Sequence, residues 1–252
     1  MKNFGFLFLC GFIFMGCSSS TPKGQYSKSK VERPYALPDD VATFAFGQST
    51  VITKSSELDI VLDEDDSAEA AFSIPYFRFE QGISKNASWL YPLGFKWAIF
   101  ENETSMFGVS AASVIFYSTL SVDYWHKISE KISLRPYFRT RNISFFIINE
   151  QRQGPGLDIL YQATEKFALS IGGGAGTYSA NSDFIDAIVN DINDDDESDT
   201  RVDGTYTGFN LTALYSITDS WDFNFEVGSS TDKVEDFTLE TTNMDIGFTY
   251  IY

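Results

Sequence analysis

Side chains for metal or redox chemistry are scarce in this chain of 252 residues, which has a single histidine, His126, and two cysteines, Cys10 and Cys17. A transition-metal site needs a cluster of such side chains, so none is predicted, and no cofactor is expected. Long apolar runs are also absent. After the first sixteen residues no uninterrupted run approaches the about 20 residues that a membrane-spanning helix requires.

The chain has few positively charged residues. Lysine and arginine number 18 against 35 aspartates and glutamates, which gives a net charge of −17. A chain this acidic does not bind nucleic acid, or an anionic lipid surface, through bulk electrostatics. The sequence therefore predicts no nucleic-acid partner.

Apolar and polar side chains alternate in this sequence, most clearly at its end. From Met244 to Tyr252 an apolar or aromatic side chain stands at every second position, and successive side chains of a strand point to opposite faces. Such a strand needs a partner for its apolar face and for its backbone edge, and a closed barrel in lipid supplies both. A polar lumen explains why aromatics reach 16% while hydrophobic residues total only 43%.

This ending resembles the terminal strand of bacterial outer-membrane β-barrels, in which an alternating apolar stretch with a C-terminal aromatic residue is recognised by the assembly machinery. The resemblance implies that Phe248, Tyr250 and Tyr252 form a membrane-assembly signal. It also implies outer-membrane lipid, lipopolysaccharide and the barrel-assembly machinery as partners.

The start of the chain has a positive residue, Lys2, an apolar core over 4–15, and Gly16 before Cys17. This pattern resembles bacterial lipoprotein signal peptides. The resemblance implies a signal peptide over 1–16 and a Cys17 that carries diacylglycerol and an N-acyl chain such as palmitate. The lipoprotein-sorting machinery would then deliver the chain to the outer membrane. An ordinary secretory signal or an uncleaved anchor is the alternative.

The next segment, 17–40, is rich in Ser, Lys, Pro and Gly and is predicted to be a flexible tether from the lipid to the barrel. Residues 41–252 are predicted to form the barrel itself, an all-β, antiparallel, up-and-down transmembrane structure. Short polar turns and longer connections alternate along this region, as in outer-membrane proteins, and both termini are predicted to lie in the periplasm. A soluble β-sandwich is the alternative.

Ten strands are the preferred count, with eight or twelve also possible. Connections are predicted near 53–69, 101–104, 150–155, 181–203 and 229–236. The candidate strands are 41–52, 70–82, 88–100, 105–126, 131–149, 156–163, 167–180, 204–217, 221–228 and 237–252.

Aromatic residues beside the short turns predict a girdle at the periplasmic interface, formed by Trp89, Trp125 and Trp221. His126 lies next to Trp125 and is interpreted as a girdle or turn residue. Outer-membrane hydrolases place a histidine at the external rim, so its position argues against catalysis, and the chain is predicted not to be an enzyme.

Charges of both signs fall on the predicted inward faces. One interpretation is a plug of ion pairs inside the lumen; the other is a narrow pore in which Arg135, Arg139 and Arg141 select anions. The ion-pair plug is preferred because an interior of about ten strands is barely wider than its own side chains. The possible lumenal charge cluster comprises Arg78, Lys96, Arg135, Arg139, Glu226 and Asp245.

Acidic residues crowd the connections near 53–69 and 181–203. Asp191, Asn193 and Asp195 have the alternate spacing of a calcium loop and form a possible weak divalent-cation site, although Asp196 stands where an EF-hand needs glycine. The predicted function is that of a non-enzymatic outer-membrane β-barrel lipoprotein with a structural or surface-interaction role through these loops. A narrow small-solute channel is the alternative, a lipid-modifying enzyme or protease a more distant one, and the external ligand is open.

Overall fold

The computed structural model describes residues 27, 29–55, 69–114, 117–145, 148–182, 201–234 and 237–252. These residues form twelve antiparallel strands in one closed barrel. No helix among them is long and apolar enough to cross a membrane. The strands are β1 (Ala42–Ser55), β2 (Glu69–Ser84), β3 (Ala87–Tyr91), β4 (Leu93–Glu101), β5 (Ser105–Val114), β6 (Tyr117–Ser129), β7 (Ile132–Phe145), β8 (Ile148–Gln162), β9 (Phe167–Ser182), β10 (Arg201–Ser216), β11 (Trp221–Val234) and β12 (Phe237–Ile251).

The barrel closes between its first and last strands, as the sequence predicts. β1 pairs with β12 from Thr43 opposite Ile251 to Ser55 opposite Leu239. Each strand otherwise pairs with its neighbours along the chain, so the topology is up-and-down. The start of β1 and the end of β12 lie at one rim, called here the terminal rim; the opposite rim is the distal rim.

The preferred count of ten strands is wrong, and the structure has twelve. Residues predicted as one strand over 88–100 form the hairpin of β3 and β4, in which Trp89 pairs with Phe95 and the chain reverses at Pro92. Proline has no N–H for a strand ladder, which makes it a natural position for this reversal. Residues 105–126, too long for one crossing, divide into β5 and β6.

The predicted connection at 150–155 lies inside β8. Gly154, Pro155 and Gly156 have the composition of a turn, yet Pro155 pairs with Phe138 in the ladder between β7 and β8. A Cβ atom at Gly156 would collide with the Tyr137 ring. Close approach of a neighbouring side chain therefore explains glycine at 156, and no chain reversal is involved.

The outward face of the barrel is an apolar belt. On β12 it is formed by Met244, Ile246, Phe248 and Tyr250, with the Phe248 ring centroid 5.8 Å from that of Phe46 on β1. Exposed apolar surface of this extent is unusual for a soluble monomer and typical of a lipid-facing wall. Further exposed members of the belt are Phe77, Trp97, Phe107, Leu120, Val122, Ile159, Ile171, Phe209 and Leu211.

The predicted aromatic girdle is only partly present. Trp89 faces outward and is 46% exposed, and Trp221 packs 4.8 Å from Tyr250 between ring centroids. Trp125 instead faces inward, because it alternates in step with the fully buried Asp123 and pairs with the buried Met106. Proximity to a short turn does not determine the face on which a strand residue lies.

Candidate functional site

The inward faces of the strands carry charged side chains, and three buried carboxylates organise those near the terminal rim. The first is Glu80 on β2, which is 5% exposed. It accepts hydrogen bonds from Ser88 Oγ at 2.7 Å and Lys96 Nζ at 2.8 Å, and Arg78 Nη2 lies 3.3 Å away. Lys96 thus neutralises Glu80, and the group of three side chains has a net positive charge.

The second carboxylate is Asp123 on β6, which is fully buried. Arg135 on β7 donates to its Oδ1 from Nη2 at 2.9 Å and from Nε at 3.2 Å. The hydroxyl of Tyr35 donates to its Oδ2 at 2.7 Å. Asp123 therefore joins the barrel wall to a residue that precedes the first strand.

The third carboxylate is Asp222 on β11. It accepts a hydrogen bond from Ser216 Oγ at 2.8 Å and forms ion pairs with Lys30 and Arg33. Burial and the neighbouring Arg33 lower the pKa of Lys30 from 10.5 to about 8, and Asp222 opposes part of that shift. Both cations again come from the chain before β1.

Residues 29–40, called here the plug segment, thus lie in the terminal mouth of the barrel. Val31, Ala36 and Leu37 are buried, and Leu37 packs with Val41 and Ile251. The wall is shaped for this segment, since a Cβ atom at Gly108 would meet the ring of Tyr35.

These contacts fall in the second half of the region predicted to be a flexible tether. The composition of residues 29–40 resembles that of a linker because charged residues and proline make up most of it. Each of Lys30, Arg33 and Tyr35 nevertheless has a buried carboxylate partner on the wall.

The twelve-strand count explains why there is room for the plug segment. Barrel diameter grows with strand number, and about eight strands already enclose a space that side chains alone can fill. Two strands more than expected widen the interior further. The structure fills the extra space at the terminal rim with backbone as well as side chains.

The distal half of the lumen holds a separate set of charges. Arg152 contacts Asp232 at 2.7 Å and Glu150 at 2.8 Å. The guanidinium groups of Arg139 and Arg141 lie over the rings of Tyr137 and Tyr117, at 4.5 and 5.2 Å from the centroids.

The residues predicted as one lumenal cluster face inward but divide into separate groups. Arg78 and Lys96 share Glu80, and Arg135 contacts Asp123. Glu226 and Asp245 are cross-strand neighbours on β11 and β12. Arg139 contacts a tyrosine ring.

Sequence reasoning missed several members of this network. Asp123 could have been assigned an inward face from its alternation with Ser121 and Trp125. Lys30, Arg33 and Tyr35 gave no such signal, because they precede the strands and follow no period. The possible cation site at Asp191, Asn193 and Asp195, and the acylation site Cys17, lie outside the described residues.

His126 lies on the outward face near the terminal rim. Its Nδ1 is 3.0 Å from Ser105 Oγ, and its ring stacks on Tyr124 with centroids 6.4 Å apart. Across the described ranges no three His, Cys, Asp or Glu side chains are grouped so as to hold a metal ion. The geometry around His126 is that of an interfacial aromatic cluster.

No protein-family model matches the sequence, and no curated protein does. Among solved structures, the chain is similar to Ail, the attachment invasion locus protein of Yersinia pestis, in complex with the heparin analogue sucrose octasulfate. The sequence identity is 11%. The match covers 84% of this chain and 98% of Ail, with a TM-score of 0.33.

Neisserial surface protein A is similar at 12% identity over 82% of this chain and 96% of its own, with a TM-score of 0.35. The outer membrane protease OmpT from Escherichia coli is similar at 8% identity over 85% and 97%, with a TM-score of 0.32. At these values the comparisons assign no activity or ligand to this chain.

Proposed function

We propose that this chain is a non-enzymatic outer-membrane β-barrel with a closed lumen, which has a structural or surface-interaction role through the connections at its distal rim. The observation that carries the proposal is the plug segment. Residues 29–40 occupy the terminal mouth and are tied to the wall through Asp123 and Asp222. A barrel closed in this way is suited to present loops on a rigid frame.

The apolar belt supports the membrane placement, because an outward face rich in Phe, Trp, Ile and Leu is stable in lipid and costly in water. In this placement the terminal rim faces the periplasm. A fully extended chain from Cys17 to Ser29 spans about 40 Å, enough for a lipid on Cys17 to lie in the inner leaflet while the plug segment stays docked. The lipid anchor and the assembly and sorting machinery are part of the proposal.

The distal rim is the side from which the acidic connections leave. β1 ends there at Ser55 and β9 ends there at Ser182. Residues 56–68 and 183–200 connect these strands to their partners, and they contain many of the chain's aspartates and glutamates. A divalent cation that bridges such carboxylates to lipopolysaccharide phosphates is the form of surface contact that this chemistry favours.

Planar-bilayer recording of the full-length protein tests the closed lumen. We expect no discrete conductance steps at moderate voltage, while the same sample shows heat-modifiable migration on a gel as a folded barrel. Stepwise conductance of the unaltered protein would overturn the proposal. It would favour the second candidate, a small-solute channel, for which the width of twelve strands is the supporting observation.

The non-enzymatic part has its own test. A hydrolase site needs a nucleophile and a base, and on the described surface of the barrel Ser105 and His126 come within hydrogen-bond distance of each other. We expect purified protein to hydrolyse neither phospholipid nor peptide substrates. A hydrolase activity that His126→Ala abolishes would contradict this.

A further inference from the structure

The wall of the barrel has a gap in its hydrogen-bond ladder beside β2. On one side, β2 pairs with β1 along 69–81. On the other side, pairing with β3 covers only Phe79–Ser84, because β3 ends at Tyr91. Among the described residues, no strand pairs with residues 69–78 on that side.

The gap, called here the lateral slot, lies between the distal part of β2 and the turn from β3 to β4. β3 and β4 both end at this turn, so neither strand continues the wall beside residues 69–78 of β2. An unpaired strand edge within a lipid belt is costly, so we expect an occupant.

The outer edge of the lateral slot is apolar. Phe77, Tyr91 and Leu93 flank it and are 58%, 67% and 64% exposed, among the highest values in the belt. Inside the wall, the same part of β2 turns Phe72 and Ile74 toward the lumen, where they are about half exposed. Apolar side chains therefore lie on both the outer and the lumenal side of the wall at the lateral slot.

The inner end of the lateral slot is positively charged. Arg78 is the first inward residue of β2 beyond the end of β3, and its side chain is 54% exposed. Among the residues that the structure describes, its ion-pair partner is Glu80, which has a shorter contact with Lys96, at 2.8 Å against 3.3 Å for Arg78. Arg78 therefore offers a largely uncompensated guanidinium where the apolar surface ends.

We propose that the lateral slot binds a long-chain carboxylate amphiphile that enters from the bilayer, with its acyl chain along Phe77 and Leu93 and its carboxylate on Arg78. A guanidinium is the side chain best matched to a carboxylate, because two parallel hydrogen bonds form at once. The ligand is not covalently changed. This proposal rests on the membrane placement above, and it is independent of the closed terminal mouth.

Binding of a fluorescent stearate to the full-length protein in phosphatidylcholine nanodiscs tests the proposal. We expect saturable binding that Arg78→Gln weakens tenfold or more, since a charge-assisted pair is lost. Lys85→Gln removes the same charge from the turn between β2 and β3 and should leave binding unchanged. The methyl ester of the probe should bind weakly to all three proteins. Equal stearate affinity in the Arg78→Gln and unaltered proteins would overturn the proposal.

A second measurement does not depend on the folding of the Arg78 variant. A photo-crosslinking amino acid at Leu93 should label the stearate probe, and unlabelled stearate should compete while its methyl ester does not. Crosslinking to a protein strand instead would identify the slot as a site for β-strand addition and refute the amphiphile. Failure to enter nanodiscs, or loss of heat-modifiable migration, would refute the membrane placement itself.

Discussion

The hydroxyl of Tyr35 donates a 2.7 Å hydrogen bond to Oδ2 of Asp123, the buried carboxylate whose Oδ1 accepts a hydrogen bond from Arg135. Tyr35 precedes the first strand, whereas Asp123 lies at the middle of the chain in β6. Burial and the charge on Asp123 raise the pKa of Tyr35, so its hydroxyl stays a donor throughout the physiological range. The plug segment is thus held by wall residues that lie far from it in the sequence.

Replacing Tyr35 with phenylalanine removes this hydrogen bond and leaves the ring in its place against Gly108. Hydrogen bonds to charged groups contribute about 1.5–3 kcal/mol, and docking of the plug segment should weaken by about that amount. A nitroxide on Asp39→Cys, in a chain without other free thiols, reports release of the segment during a urea titration. Tyr161→Phe, on the lipid-facing surface, should leave the midpoint unchanged; equal midpoints for both variants would contradict the assigned role.

Deleting residues 29–37 should open the lumen, because the interior of a twelve-strand barrel is wider than the side chains of its wall can fill. The deletion also removes Lys30 and Arg33 from Asp222 and leaves this carboxylate without those two partners, so the conductance should be more cation-selective than that of the same deletion with Asp222→Asn. Planar-bilayer recording with a salt gradient gives both results. Removing residues 18–26 instead shortens the chain equally and should leave the barrel closed. A silent 29–37 deletion would mean that wall side chains close the lumen unaided.

Docking of the plug segment should strengthen as the pH rises from about 8 to 10, above which the raised pKa of Tyr35 acts in the opposite direction. Burial lowers the pKa of Lys30 to about 8, against 10.5 when exposed, so in this window the released segment binds more protons than the docked one. Rising pH then favours docking by up to about 1.4 kcal/mol per unit, and below pH 8 this group adds no further dependence. The urea midpoint of the Asp39→Cys spin label measures the effect. Lys30→Gln should flatten it, and an unchanged slope would refute the assignment to Lys30.

The seam between β1 and β12 depends on two glycines that face each other, Gly47 and Gly247. Tyr76 on β2 reaches across both, and a Cβ at Gly247 would meet the hydroxyl end of that side chain. A Cβ at Gly47 would instead meet the backbone oxygen of Ile246, which cannot move without disturbing the ladder. Gly47→Ala should therefore lower the thermal midpoint of the folded band on gels more than Gly247→Ala does. The reverse order would show that Tyr76 is less adaptable than the backbone.

Alternation along the strands carried most of what the sequence could reveal. In β12, Met244, Ile246, Phe248 and Tyr250 face outward while Asp245 faces inward, and β12 ends at the rim where β1, its pairing partner, begins. The strand number did not follow, because it depended on two ambiguous signals. Pro92 marks a chain reversal inside an otherwise continuous pattern over 88–100, and residues 105–126 read as one long strand although they divide into β5 and β6.

The plug segment was beyond sequence reasoning for a different reason. Lys30, Arg33 and Tyr35 follow no strand period, and the few apolar residues beside them, Val31, Ala36 and Leu37, form no pattern that predicts burial. Their burial comes from Asp123 and Asp222, which are distant in sequence and meet them only when the barrel closes. A polar segment next to a barrel is indistinguishable from a tether until the partner charges on the wall are located.

The end of β12 provides the test of the assembly signal. Phe248 faces the lipid side and packs against Phe46 and Phe223 across both neighbouring strands, at 5.8 and 5.4 Å between centroids. Phe248→Asp places a charge in the middle of the belt and removes both contacts, so the yield of heat-modifiable barrel in outer-membrane fractions should fall severalfold. Thr242→Asp introduces the same charge on the same face, nearer the distal rim, where the belt gives way to polar residues. It should reduce the yield far less. Deletion of Tyr252, which stacks on Tyr250 at 5.6 Å, should resemble Phe248→Asp. Equal yields for all of these variants would show that the C-terminal aromatics do not direct assembly.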